Sequence, residues 1–306
     1  MIRKKILISD ILDFLSNDVI TTYGIHTDQY IDNLADATHV DGFTLDWVAK
    51  QTGAQAIAET SKAKVVLVNE SVTYSTEMKE SGKALIVVKS PKQALTKIGN
   101  HFFVTRPMPG IHPTAIISPD AIIGEEVTIG PYCVIGAATI GDRCVLDSHV
   151  RVMDGVVMGS DCDVKAGAVL GGSGFGFVKD DDGNKLRFPQ IGGLIIGHHV
   201  EIGANTCIDR GALSDTEIGD YTKINNLCHI AHNNKIGRNV TITGCVNISG
   251  SNIIDDRAWI APNASIRGFI HIGEGSVVGM GAVATKDIPA GETWVGNPAK
   301  KMEKKK

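Results

Sequence analysis

Aromatic residues make up only 5% of the 306-residue chain, so a core built around large stacked rings is not expected. No stretch approaches the ~20 consecutive apolar residues of a membrane-spanning helix, which excludes that class of membrane protein. CxxC motifs are absent: Cys133, Cys144, Cys162, Cys207, Cys228 and Cys245 are scattered. That spacing argues against a zinc ribbon or a disulfide framework and predicts reduced packing residues in a cytoplasmic protein. The net charge of −4 gives no basic field for a nucleic-acid partner. The N-terminus pairs Arg3, Lys4 and Lys5 with Ile6-Leu7-Ile8, but Asp10 and Asp13 break the apolar run and no small-residue cleavage site follows. An amphipathic first helix carrying Ile8, Ile11, Leu12 and Leu15 on one face is expected instead.

What the sequence does have is a beat. Ile218, Ile224, Ile230, Ile236, Ile242, Ile248, Ile254, Ile260, Ile266, Ile272 and Val278 stand six apart without interruption. An α-helix asks for spacings of three and four and a half-buried strand for alternation, whereas six-residue units belong to β-helices. One aliphatic per hexad points inward, and three hexads close a triangular coil. The beat begins upstream with Ile111, Ile117, Ile123, Ile129 and Ile135, then resumes one residue short at Ile140, Leu146, Val152, Met158, Val164 and Leu170. Ile196, Ile202 and Ile208 form a third run, joined to the long one through a slipped corner near Leu213. Glycine often follows the inward residue, as in Ile129-Gly130 and Ile218-Gly219, where a corner favours a residue without Cβ. The predicted fold is mainly β: a parallel β-helix of hexapeptide repeats over 109–290, after a small α/β domain over 1–108. In that domain Val65-Val66-Leu67-Val68 and Ala84-Leu85-Ile86-Val87-Val88 read as strands and Pro91 to Ile98 as a helix. Residues 291–306 read as a short basic tail.

The beat stops once more, at 171–194. Gly171-Gly172-Ser173-Gly174-Phe175-Gly176-Phe177 opens this insertion, followed by Asp180-Asp181-Asp182-Gly183 and Phe188-Pro189-Gln190. The glycine string has no Walker lysine and serine, and the aspartate run lacks the spacing and final glutamate of a calcium loop. Insertions in repeat proteins collect on functional faces, so a flexible loop is expected whose Phe175 and Phe177 cover a substrate.

Histidines are the candidates for chemistry. His232, in Cys228-His229-Ile230-Ala231-His232-Asn233, lies just past the inward Ile230 and reaches the surface at a corner. From the pattern alone it is a general base, a surface or packing histidine, or a metal ligand, since imidazole serves all three. His198 and His199 stand close to the inward Ile202, while His112, His149 and His271 are isolated.

These residues carry a resemblance. Gly172-Ser173-Gly174-Phe175-Gly176-Phe177, Pro189-Gln190-Ile191-Gly192, Ile208-Asp209-Arg210-Gly211-Ala212-Leu213 and Ile230-Ala231-His232-Asn233 resemble the UDP-3-O-(3-hydroxyacyl)glucosamine N-acyltransferases of lipid A synthesis. Ala84 to Pro91 resembles part of that family's nucleotide-binding domain. The resemblance implies a left-handed helix, a homotrimer with sites between subunits, and acyl transfer from acyl carrier protein to a sugar amine. It implies His232 as general base, Gly250 as the residue whose N–H serves the oxyanion, and Asn226 and Asn233 as their substrate-binding neighbours. Spacing adds that Gly250, 18 residues after His232, stacks one coil away at the same corner. Three departures bear on the substrate. Phe269, in Arg267-Gly268-Phe269, stands where that family carries a second histidine. Val66 replaces its uracil-binding aromatic, while Asn69 is kept and Tyr74 supplies a ring nearby. In place of its C-terminal helical extension, Gly279 to Pro289 and Val295-Gly296-Asn297-Pro298-Ala299-Lys300 resemble the ending of hexapeptide-repeat acetyltransferases that use coenzyme A on nucleotide-linked amino sugars. That second resemblance implies donor contacts at Lys286 and Asn297. The expected activity is therefore N-acyl transfer from acyl-CoA or acyl carrier protein to a nucleotide-linked amino sugar, with the lipid A enzyme itself as the alternative. No permanently bound cofactor or metal is expected. A zinc carbonic anhydrase built on the same helix, using His198, His199, His229 and His232, and a purely structural solenoid are the remote alternatives.

Overall fold

The computed structural model describes residues 4–36, 38–49 and 52–303. The chain divides into two compact units, 1–106 and 107–306. In the first, a four-stranded sheet runs in the order Val19–Tyr23, Ala84–Val88, Val65–Val68 and Leu45–Val48. Val65–Val68 and Ala84–Val88 are buried at every residue, as parallel strands covered on both faces must be. The helix Ile8–Leu15 buries Ile8, Ile11 and Leu15, with Leu12 packed against the same cluster, which matches its predicted face. Pro91–Ile98 is helical, capped by the Ser90 hydroxyl accepting from the Gln93 N–H and started by proline, whose missing N–H costs nothing there.

The second unit is a left-handed parallel β-helix with three faces. Two-residue strands stack in register: Ile208 lies beside Ile230, Ile230 beside Ile248, and Ile248 beside Ile266. Ile208, Ile230 and Ile248 are fully buried, so the core is a column of aliphatics, one per strand. Burying each such side chain is worth ~1.5–3 kcal/mol, and coils contact only their neighbours. Ile248→Ala is therefore expected to destabilise this unit by about 2–5 kcal/mol, measured by denaturant unfolding.

The corners behave differently from expectation. Left-handed backbone falls three residues after the inward aliphatic, on side chains such as Leu227 (φ 59°), Asn233 (φ 61°) and Phe269 (φ 62°). The glycine directly after the aliphatic serves close approach: a Cβ at Gly219 would sit 2.6 Å from the Gly237 carbonyl carbon on the next coil. Corner carbonyls turn into the helix, where they need donors. Buried small side chains supply them: Cys133 Sγ reaches Asp147 O (2.8 Å), Cys144 Sγ reaches Gly159 O (3.1 Å), and Thr222 Oγ1 donates to Gly237 O (2.8 Å). Cys133, Cys144, Cys162 and Cys228 are thus buried and all six cysteines are free, but Cys207 and Cys245 are exposed, because they occupy outward and turn positions.

Two segments depart from the sequence reading. The insertion is not a loop throughout: Phe177–Lys179 and Lys185–Arg187 pair as an antiparallel hairpin, closed by Asp180 and Gly183. Leu186 between Lys185 and Arg187, and Val178 between Phe177 and Lys179, give the alternation of a two-stranded ribbon. The segment read as a basic tail also carries structure. Thr293–Val295 joins a face beside Val277 and Val278, and Lys300–Lys301 pairs back on it. Buried Ala299 and half-buried Trp294 supply the apolar contacts that hold it.

Candidate active site

His232 stands at a corner of the helix, half-buried, and its ring is held on three sides. Its Nδ1 lies 2.9 Å from Asn233 Oδ1. That carboxamide is oriented independently: Oδ1 accepts from the Ala212 N–H (3.1 Å), while Nδ2 donates to Ser214 O and Oγ. An oxygen fixed opposite Nδ1 demands a proton there, which leaves the Nε2 lone pair free. This is the tautomer a general base needs. The sequence named Asn233 only as a motif neighbour; the structure makes it the residue that sets the imidazole.

The second side is Gly250. A Cβ there would lie 2.8 Å from His232 Cε1 and 3.0 Å from Nε2, so only glycine lets the next coil approach the ring. Among the described residues the Gly250 N–H has no hydrogen-bond partner, while its carbonyl accepts from the Phe269 N–H. The third side is the start of the insertion: a Cβ on Gly174 would be 2.7 Å from His232 Cδ2. Beside Gly174, Gln190 Oε1 is buried and has no partner among the described residues.

His232, Ser249, Gly250, Arg267, Gly268, Phe269 and Ile270 line an open cleft of ≈ 420 Å³. Phe269 is 83% exposed and presents its ring at the rim. Phe175 and Phe177 meet edge to face at 4.9 Å, with the Arg187 guanidinium over the Phe177 ring. Asp209, which motif spacing did not single out, is buried, and its Oδ2 lies 3.9 Å from His229 Nε2. Burial pushes its carboxyl above the usual range, and positive charge on His229 or His232 pulls it back.

Other predicted residues lie elsewhere. Asn226 sits at the preceding corner, where its Oδ1 accepts from the Ala204 N–H (2.7 Å), and lines a separate cleft of ≈ 320 Å³ with Lys223 and Thr243. A one-hexad offset places a residue on a neighbouring corner, so a single chain cannot bring Asn226 to His232. Lys286 is exposed and belongs to the His232 corner: register carries His229 to Asn247, Ser265 and Val283, hence His232 to Gly250, Gly268 and Lys286. At ~4.8 Å per coil, Lys286 stands about 14 Å along the edge. Asn297 is exposed in the final turn, next to Gly296, whose carbonyl accepts from the Val283 N–H. In the first unit Tyr74 stacks on Tyr23 (5.2 Å) and both line a cleft of ≈ 390 Å³ with Glu70 and Thr73. Asn69 is next to it in sequence, with Oδ1 taken by the Ser71 N–H and hydroxyl. Val66 is fully buried in the sheet. Among the described residues no three His, Cys, Asp or Glu side chains converge to hold a metal ion, and no helix is long and apolar enough to cross a membrane.

Comparisons with known proteins give the chain its relatives. Residues 137–172 match the family model described as bacterial transferase hexapeptide (six repeats), and residues 120–150 match the hexapeptide repeat of succinyl-transferase. The chain is 38% identical over 171 residues to the UDP-3-O-acylglucosamine N-acyltransferase of a Caulobacter species, covering 56% of this chain and 45% of that protein. It is 34% identical over 247 residues to the protein of that name in Coxiella burnetii, covering 73% of this chain and 70% of that one. The crystal structure of UDP-N-acetylglucosamine O-acyltransferase from Moraxella catarrhalis superposes with a TM-score of 0.58 at 30% identity, over 63% of this chain and 73% of that one. The chain spans less than half the length of the first curated relatives it matches, 45% and 41%.

Proposed function

The chain belongs to the UDP-3-O-acylglucosamine N-acyltransferase family of hexapeptide-repeat proteins, and on that premise we propose that it moves an acyl group from a thioester to the amine of a nucleotide-linked amino sugar. The observation that carries this reading is one corner where an imidazole with a free Nε2 faces a glycine whose N–H is unengaged. The sugar amine attacks the thioester carbonyl carbon, and the carbonyl π electrons move onto oxygen. The Gly250 N–H holds that oxyanion, as preorganised donors do, and His232 Nε2 takes the proton from nitrogen. Collapse re-forms the C=O bond and breaks the C–S bond, and the imidazolium returns its proton to the departing sulfur. The products are an amide and a free thiol, with no acyl-enzyme between.

Arg267 at the cleft and Lys286 further along the edge offer cations for the phosphates of the two substrates. A donor laid along this corner, thioester at His232 and phosphate at Lys286, suits acyl-CoA or the prosthetic arm of acyl carrier protein. Lys286→Glu should then raise KM for the donor and leave that for the sugar unchanged, read from initial rates of thiol release. The Tyr23–Tyr74 cleft is assigned to the nucleotide base, and Asn226 to a site completed by a second copy of the chain in a homotrimer. Thiol release with UDP- and dTDP-linked amino sugars against acetyl, hydroxybutyryl and long-chain donors tests the reading. Transfer to at least one such sugar is expected; release that is independent of every amine would sink it. Exclusive use of a long-chain acyl carrier protein with O-acylated UDP-glucosamine would identify the lipid A reaction itself.

A further inference from the structure

The column of buried side chains that opens one face of the helix runs Leu194, Thr216, Asn234, Asn252, Ile270. Asn234 and Asn252 are both fully buried in positions where Leu194 and Ile270 show that an aliphatic fits. A buried carboxamide is costly unless every hydrogen bond is made, so two in succession need a reason. Their bonds supply one. Asn234 Nδ2 donates to Ala231 O (2.6 Å) and Ser249 O (3.0 Å), and Asn252 Nδ2 donates to Ser249 O (2.6 Å). The oxygens are equally engaged: Asn234 Oδ1 accepts from the Asn252 N–H and Asn252 Oδ1 from the Ile270 N–H, each at 3.0 Å. This network fixes which end of each amide is oxygen.

Ser249 O thus receives two amide donors from inside the helix. It belongs to the same peptide plane as the Gly250 N–H, and that peptide is trans, since the cis bond present is Asn297-Pro298. In a trans peptide the C=O and N–H point in opposite directions. A carbonyl pinned inward therefore forces the Gly250 N–H outward, to the side of the coil where His232 stands. Asn234 applies the same clamp to the Ala231–His232 peptide. At several other corners a cysteine or threonine donor holds the inward carbonyl, as Thr222 does for Gly237 and Thr206 for Asn225.

We infer that Asn234 and Asn252 are positioning residues that lock the Ser249–Gly250 peptide so that its N–H is fixed as the oxyanion donor. This rests on the reading of Gly250 given above. Asn252→Leu, which leaves the Asn234 bond to Ser249 O in place, is expected to lower kcat for acyl transfer with both KM values unchanged. Asn234→Leu/Asn252→Leu, which removes both donors, should lower kcat by about 10²-fold, close to deletion of an oxyanion donor, whereas Thr222→Val, which removes the equivalent bond at another corner, should keep its kcat. A crystal structure of the double variant reads the peptide itself. The Ser249 carbonyl is expected to turn from the interior; the same carbonyl still pointing inward between two leucines, or a folded double variant with wild-type kcat, would overturn the proposal. If the double variant does not fold, the kcat of Asn252→Leu carries the test, and a wild-type value there overturns the proposal. Wild-type transfer that survives His232→Ala would instead bring down the reading of the site, and it is told apart because neither asparagine is touched.

Discussion

Replacing His232 by alanine is expected to lower kcat by about 10²- to 10⁴-fold, the range for loss of a positioned general base, with KM for donor and acceptor little changed. The fold should tolerate it. His232 is half-buried, contributes nothing to the aliphatic column, and leaves Asn233 anchored by Ala212 and Ser214 when it is removed. A loss of activity with an unchanged melting curve therefore reports on chemistry. His232→Ala at near wild-type kcat would mean that the amine loses its proton elsewhere, and His229 beside Asp209 would be the next residue to test.

Gly250→Ala is expected to cost nearly as much, by displacing the base. The added Cβ would sit 2.8 Å from His232 Cε1, 3.0 Å from Nε2 and 3.1 Å from Nδ1, closer than side-chain carbons approach ring atoms. The ring has no retreat, because Gly174 closes its other edge and Asn233 holds Nδ1. Either the imidazole leaves its bond to Asn233 or the coils part locally. A displacement of about 1 Å at a catalytic group costs on the order of 10²-fold, and kcat measured on folded Gly250→Ala protein should fall accordingly. An unchanged kcat would show that the ring does not work from this position.

Much of this was legible because the helix keeps count. The isoleucine beat survives wherever coils have constant length, and across such a stretch 18 residues carry His232 to Gly250 without further information. Where coil length changes, the arithmetic fails. The excursion after Arg210 lengthens that coil, so that Thr206 meets Cys228 22 residues on, and Asp209 cannot be aligned with the histidines by counting. The inward asparagines were invisible for another reason. They occupy positions filled elsewhere by leucine, threonine or isoleucine, and only the direction of their amides reveals a purpose. Hairpin and tail went unread because each is a local pairing of a few exposed residues with no period to detect. Asn226 shows the limit of motif spacing: six residues on this helix is one corner, so within one chain it lines a different cleft from His232.

The central claim is that an acyl group passes directly from sulfur to a sugar nitrogen at the His232–Gly250 corner. Cys207 is exposed and its register partner is His229, so an acylated thiol is the competing route that needs excluding. Its thiol is pushed up from the usual range by desolvation, which disfavours the thiolate. Mass spectrometry of enzyme and sugar quenched during a single turnover decides between them. The account predicts an amide-linked acyl sugar from the wild-type protein, none above background from His232→Ala, and no acyl adduct on the chain at any time; a transient adduct on Cys207 that decays as product forms would contradict it.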